Sequence, residues 1–135
     1  MWTYVQESGE LWQGSYHVGT GYSGFEQGKN KPSMQAMKGL GPIPLGRWTI
    51  VGPPQNIIPG PGIYVLRITP NFGTQTFGRG EFLLHGDAGN HPGCASHGCI
   101  VMPHDTRVAV WTSGDTELEV IAALSVPADV GTANA

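Results

Sequence analysis

The sequence predicts a mainly β domain, a small curved β-sheet or sandwich with one helix, and three observations carry that expectation. Turn formers are dense, with 21 Gly and 11 Pro among 135 residues, and they cut the chain into short segments. Those segments are rich in aromatic and β-branched residues, as in Trp2-Thr3-Tyr4-Val5. Charged residues make up only 13%, too few for the solvated faces of a helix bundle. The length argues for one domain, taken as residues 1–125, with a loose tail of small and polar residues at 126–135.

The opening reads as a β-meander. Trp2–Val5, Glu10–Gln13 and Tyr16–Gly21 are strand segments separated by the turn signals Ser8-Gly9 and Gly14-Ser15. Residues 23 to 42 carry loop signals throughout, with room for one or two helical turns between Pro32 and Lys38, and read as a long connection that overhangs a site. Pro42-Ile43-Pro44-Leu45-Gly46 leads an extended chain into a strand from Arg47 to Val51, which Gly52-Pro53-Pro54 ends. A further strand runs from Ile63 to Thr69. Phe82-Leu83-Leu84 is a short apolar run that delivers His85 to the edge of a sheet. A helix starts at Pro103, presents Met102, Val108 and Trp111 on one face, and ends at Gly114. The last strand spans Leu118 to Ala122.

Composition excludes several partners. The formal net charge of −3 leaves nothing to hold a phosphate backbone, so nucleic acid is not an expected partner. No run of about 18 apolar residues is present to span a membrane. The opening MWTYVQESGE has no basic stretch followed by an apolar one, so no secretory signal is read there.

Chemistry concentrates in residues 85 to 99, HGDAGNHPGCASHGC. Three histidines, both cysteines and an aspartate fall among Gly, Ala, Ser, Asn and Pro, a composition unsuited to a core. Two cysteines five positions apart make neither a disulfide framework nor a zinc knuckle. Cys99 reads as a nucleophile, because a thiol needs a nearby imidazole or positive potential and histidines surround it. His85, fourteen residues upstream, and His97, two residues upstream, are the candidate bases. Gly98 leaves the N–H groups of Gly98 and Cys99 unobstructed for an oxyanion, where one donor is worth about 3 kcal/mol.

Ser96-His97-Gly98-Cys99-Ile100 with His85-Gly86 upstream resembles the signature of the L,D-transpeptidase (YkuD-like) superfamily. The wider set resembles more closely its type VI secretion effector branch. That set includes the Trp-Thr-Tyr opening, Thr20-Gly21-Tyr22-Ser23-Gly24, Gly41-Pro42-Ile43-Pro44-Leu45-Gly46, Phe77-Gly78-Arg79, and the segments around His85 and Cys99. The resemblance implies Cys99 as nucleophile, His85 as base, and the carbonyl of Gly86 as the group that orients the imidazole. Ser96, His97 and Gly98 would shape the oxyanion pocket. The superfamily's Arg shortly after the Cys is replaced by Val101 here, so the substrate carboxylate needs another cation. Arg79 is the first choice, with Arg107 and Arg47 as alternatives. Asp87 reads first as a turn former, with a place beside the substrate as its functional role.

By the same resemblance the substrate is a peptidoglycan tetrapeptide stem, attacked without cofactor or metal. The thioester would pass to water, to a free D-amino acid or to another stem, the first two dominating in the effector branch. A cognate immunity protein, secretion, and action in the periplasm of a target bacterium are also implied. Cys94, His91 and His104 have bland readings as loop or surface residues. Two rival classes remain in view. A zinc module would use four of His85, Asp87, His91, Cys94, His97 and Cys99, and a wall-binding domain would carry a degenerate site.

Overall fold

The computed structural model describes residues 1–88 and 97–124. Its strands are β1 (Trp2–Val5), β2 (Glu10–Gln13), β3 (Tyr16–Thr20), β4 (Tyr22–Ser23), β5 (Gly46–Ile57), β6 (Gly62–Pro70), β7 (Phe82–His85), β8 (Ile100–Val101) and β9 (Glu117–Ile121). Among the described residues one α-helix, α1, spans His104–Thr112, and short 3-10 turns lie at Glu26–Gly28 and Pro32–Met34. The expected mainly β fold is what the chain adopts, as one open, curved mixed sheet and not a sandwich. The strand order is β3-β2-β1-β9-β5-β6-β7-β8-β4.

Alternation along the strands explains the core. Trp2 and Tyr4, Trp48 and Ile50, Leu66 and Ile68, Phe82 and Leu84, and Leu118 and Val120 repeat at period two and bury one face of the sheet. Val110 of α1 joins them. Trp48 and Phe82 meet edge-on with ring centroids 4.8 Å apart, an arrangement worth about 0.5–1.5 kcal/mol beyond the area it buries. Two pairings are parallel, β1 with β9 and β7 with β8.

β1 and β2 have the expected bounds. β5 does not end at Gly52-Pro53-Pro54. It continues to Ile57 through a register shift between Val51 and Gln55. The prolines have no N–H to give to the ladder, so the pairing skips them and resumes at Gln55 opposite Val65. At Gly52 any β-carbon would lie 2.4 Å from the Trp111 ring, so the ring covers the strand where it bulges.

The helix also departs from expectation. Pro103 caps it and does not belong to it. Its buried positions are Thr106, Arg107 and Val110, and Met102 is core residue outside the helix. The buried face therefore contains an arginine, which the pattern of apolar residues had hidden.

Candidate active site

Parallel pairing of β7 with β8 sets the site. Leu84 lies opposite Ile100 and His85 opposite Val101, and Leu84 and Ile100 both point into the core. Cys99 immediately precedes Ile100. Alternation sends Leu83, His85, Cys99 and Val101 to the opposite face. The register thus sets Cys99, just before β8, diagonal to His85 at the end of β7, roughly 8 Å apart at their α-carbons from the strand spacing and rise.

The His85 ring is almost fully buried, at 3% exposure. Its Nδ1 stands 2.7 Å from the carbonyl oxygen of Gly86. A carbonyl only accepts, so Nδ1 carries the proton and Nε2 keeps its lone pair. Burial pushes the His85 pKa down, and the Arg107 charge adds to that effect. The Gly86 carbonyl and Asp87 oppose it. The ring is therefore a neutral base at ordinary pH.

Cys99 is half-buried. Its Sγ lies 3.7 Å from the carbonyl oxygen of Glu81, a contact that only a protonated thiol can donate. Burial pushes the Cys99 pKa up, and the Glu81 charge pushes the same way. The Leu83 backbone and the Arg79 charge pull it down. The resting pair is a neutral thiol and a neutral imidazole.

Arg79 holds the floor of the site. It is 7% exposed, and burial lowers its pKa. Its Nη1 donates to the carbonyls of Gln35 and Pro42, and its Nη2 to those of Gly41 and His97. The segment before β5 is thereby fastened beside the nucleophile. His97 adds a second tie, with Nδ1 3.0 Å from the carbonyl of Gly39 and its ring 4.5 Å from that of Phe25. Lys38 and Gly39 line a cavity of about 270 Å³ together with Arg79, Glu81, His97 and Cys99. The long connection does overhang the thiol. A neighbouring cavity of about 530 Å³ shares Arg79, Gly80, Glu81 and Phe82 with it and extends toward Arg67 and Leu83.

Gly98 has φ +138°, and a β-carbon there would lie 2.3 Å from Nη2 of Arg79. Only glycine allows this backbone with the guanidinium so close. Ser23 anchors the same turn from below, its Oγ donating to the Gly98 carbonyl at 3.3 Å and accepting from the Ile43 N–H at 2.9 Å.

On the far side of His85, Asp87 accepts from the Tyr22 hydroxyl at 2.6 Å and from the Ala88 N–H at 2.8 Å. Of the expected site residues, Arg79, His97, Gly98 and Cys99 line one cavity and Asp87 lines another, while His85 ends β7 with Gly86 next to it, on a strand that pairs with β6 and β8 and is not at the sheet's edge as expected. Ser96 lies outside the described residues, as do Cys94, His91 and the tail at 126–135. Arg47 is remote from this group, beside Glu119 on the exposed surface. Sequence reasoning underrated Tyr22 and Arg107, whose burial could not be read from their types. Among the described residues no three His, Cys, Asp or Glu side chains stand in a metal-holding group, and no helix is long and apolar enough to cross a membrane.

A family model for the Tlde1 domain matches residues 17–125, which takes in all of this site and most of the sheet. The chain belongs to the Tlde1 domain family. This is a family of type VI secretion effectors, so the Tlde1 domain here is that of a protein secreted into a target cell. No curated protein and no solved structure matches the chain. Within the matched span of the Tlde1 domain lie Arg79, His85, Gly98, Cys99 and Arg107, the residues whose geometry is given above.

Proposed function

We propose that this protein is a cysteine acyl-transferase that acts on peptidoglycan tetrapeptide stems, as an L,D-carboxypeptidase and D-amino-acid exchanger. The observation that supports the reading is the parallel register of β7 with β8, which sets Cys99, the residue before β8, diagonal to His85, together with the commitment of Nδ1 of the ring to Gly86. That leaves Nε2 as the base for the thiol of the residue just before the adjacent strand.

The chemistry follows in order. It requires the Cys99 side chain to turn away from Glu81 toward His85, where Nε2 takes its proton. The sulfur attacks the carbonyl carbon at the L-centre of the stem's diamino acid. The tetrahedral oxygen is held by the N–H groups of Gly98 and Cys99, with His97 shaping the pocket. The intermediate collapses, the C–N bond breaks, and the leaving D-alanine amine takes the proton back from His85. Water or the amine of a free D-amino acid then attacks the thioester and restores the thiol. No cofactor enters these steps.

Removal of donor stems from a rival's wall explains how such an enzyme acts as a toxin. The site of action is then the periplasm of the target, and the producer needs a cognate immunity protein. Incubation with purified muropeptides, with and without a D-amino acid, tests the reading. Loss of one D-alanine mass or its exchange is expected, and unchanged stems contradict it.

A further inference from the structure

A third cavity, of about 370 Å³, opens on the His85 side of the site. Tyr22, Asp87, Val101, His104 and Arg107 line it. Arg107 is 6% exposed, yet its donors are not all used. Nε donates to the Met102 carbonyl at 3.1 Å, and Nη1 donates to those of Ile63 and Tyr64 at 2.7 and 3.2 Å. Nη2 has no hydrogen bond among the described residues. It rests against Gly86, where a β-carbon would come within 2.7 Å. Nη2 is not among the buried unpaired side-chain atoms of the described residues, so it is open to the cavity that Arg107 lines, where a carboxylate would gain a charge-assisted hydrogen bond.

The same cavity also carries a negative charge. The Asp87 carboxylate is oriented by the Tyr22 hydroxyl and by the Ala88 N–H. A simple anion would be repelled by Asp87 and a simple cation by Arg107. A ligand with both charges on one carbon satisfies both.

We propose that this cavity receives the head group of an α-amino acid, its carboxylate on Nη2 of Arg107 and its ammonium facing Asp87. The proposal rests on the acyl-transfer reading for its place in catalysis and deepens it. Arg79, whose four Nη donors already serve carbonyls, is left to position the overhanging loop. Two sources share this chemistry: the distal centre of the stem's diamino acid, and a free D-amino acid acceptor.

The ligand can be altered where the protein cannot safely be. Wild-type protein is given stems whose distal diamino-acid carboxylate is free or amidated and, separately, D-alanine or D-alaninamide as acceptor. Amidation at the head group that occupies the cavity lowers kcat/KM about 10- to 100-fold, the worth of one charge-assisted bond. A penalty on the stem identifies the donor as occupant, and a penalty on D-alaninamide identifies the acceptor. In Arg107→Lys and Asp87→Asn, checked for folding by circular dichroism, that discrimination shrinks. Stems turned over with equal kcat/KM in every arm overturn this proposal and leave the acyl-transfer reading standing.

A second measurement does not depend on turnover. Cys99→Ala protein is titrated with D-alanine, D-alaninamide and N-acetyl-D-alanine while the amide resonances of Val101 and His104 are followed by NMR. D-alanine shifts them at concentrations at least about 10-fold lower than the other two. Equal shifts for all three, or none for D-alanine, overturn the proposal.

Discussion

Nδ1 of His85 donates to the carbonyl oxygen of Gly86 at 2.7 Å, so the residue next in sequence decides which ring nitrogen remains to act as base. Because the bond is to the backbone, no side-chain substitution removes it directly. Replacing the ring does. His85→Ala is expected to lower kcat by about 10²–10⁴-fold, the usual worth of general-base catalysis, with Cys99 still open to alkylation. An unchanged kcat would move the base elsewhere, with His97 first in line.

The thiol that donates to Glu81 is protonated at rest. The difference in absorbance at 240 nm between wild-type and Cys99→Ala protein therefore shows no thiolate at pH 7. It appears only above the ordinary thiol value, about 8.5, because burial raises the Cys99 pKa. A thiolate signal at neutral pH would mean a preformed ion pair with His85.

Burial of the neutral His85 ring also ties stability to pH. Its folded pKa is depressed, so the unfolded chain binds the proton more readily. Stability is fully present above the unfolded value of about 6.5 and is lost as pH falls from there through the depressed folded value. Asp87 opposes the depression and Arg107 deepens it, so Asp87→Asn enlarges the loss. Urea denaturation between pH 7.5 and 5 measures this, with His85→Gln expected to flatten the slope.

Gly98→Ala tests the nucleophile turn without touching a reactive side chain. The substitution is strained at φ +138° and drives a β-carbon toward Nη2 of Arg79. A loss of about 1–3 kcal/mol in stability is expected, together with reduced turnover. Wild-type stability and activity in this variant would show that the turn relaxes freely.

Arg79→Lys keeps the charge near the thiol and loses the planar fork that meets four carbonyls. Stranding buried acceptors at about 1–3 kcal/mol each before relaxation should lower the urea midpoint and expose the 35–42 segment to proteolysis. A midpoint equal to wild type would deny the segment its dependence on this residue.

The local parts of this fold were legible and the long-range parts were not. β1 and β2 follow from β-forming residues between glycine turns, and their bounds agree with the structure. β4 and β8, two residues each, are too short to have a period. The parallel pairing of β7 with β8 joins segments well apart in the chain, and no local pattern records it. The prolines at 53 and 54 looked like an end because they remove ladder donors. A register shift carries the strand past them. At the site, the His and Cys cluster stood out by composition. Arg79 was legible as a cation but not as the tie for four carbonyls, and Arg107 was legible as an alternative cation but not as a buried one, because buried arginines are rare.

The most direct measurement is the mass of a purified tetrapeptide stem after incubation with wild-type and with Cys99→Ala protein, in the presence of a labelled D-amino acid. The acyl-transfer account predicts a stem one D-alanine lighter, or one carrying the label, with wild type alone. Identical stems from both proteins, whether intact or converted, would contradict it.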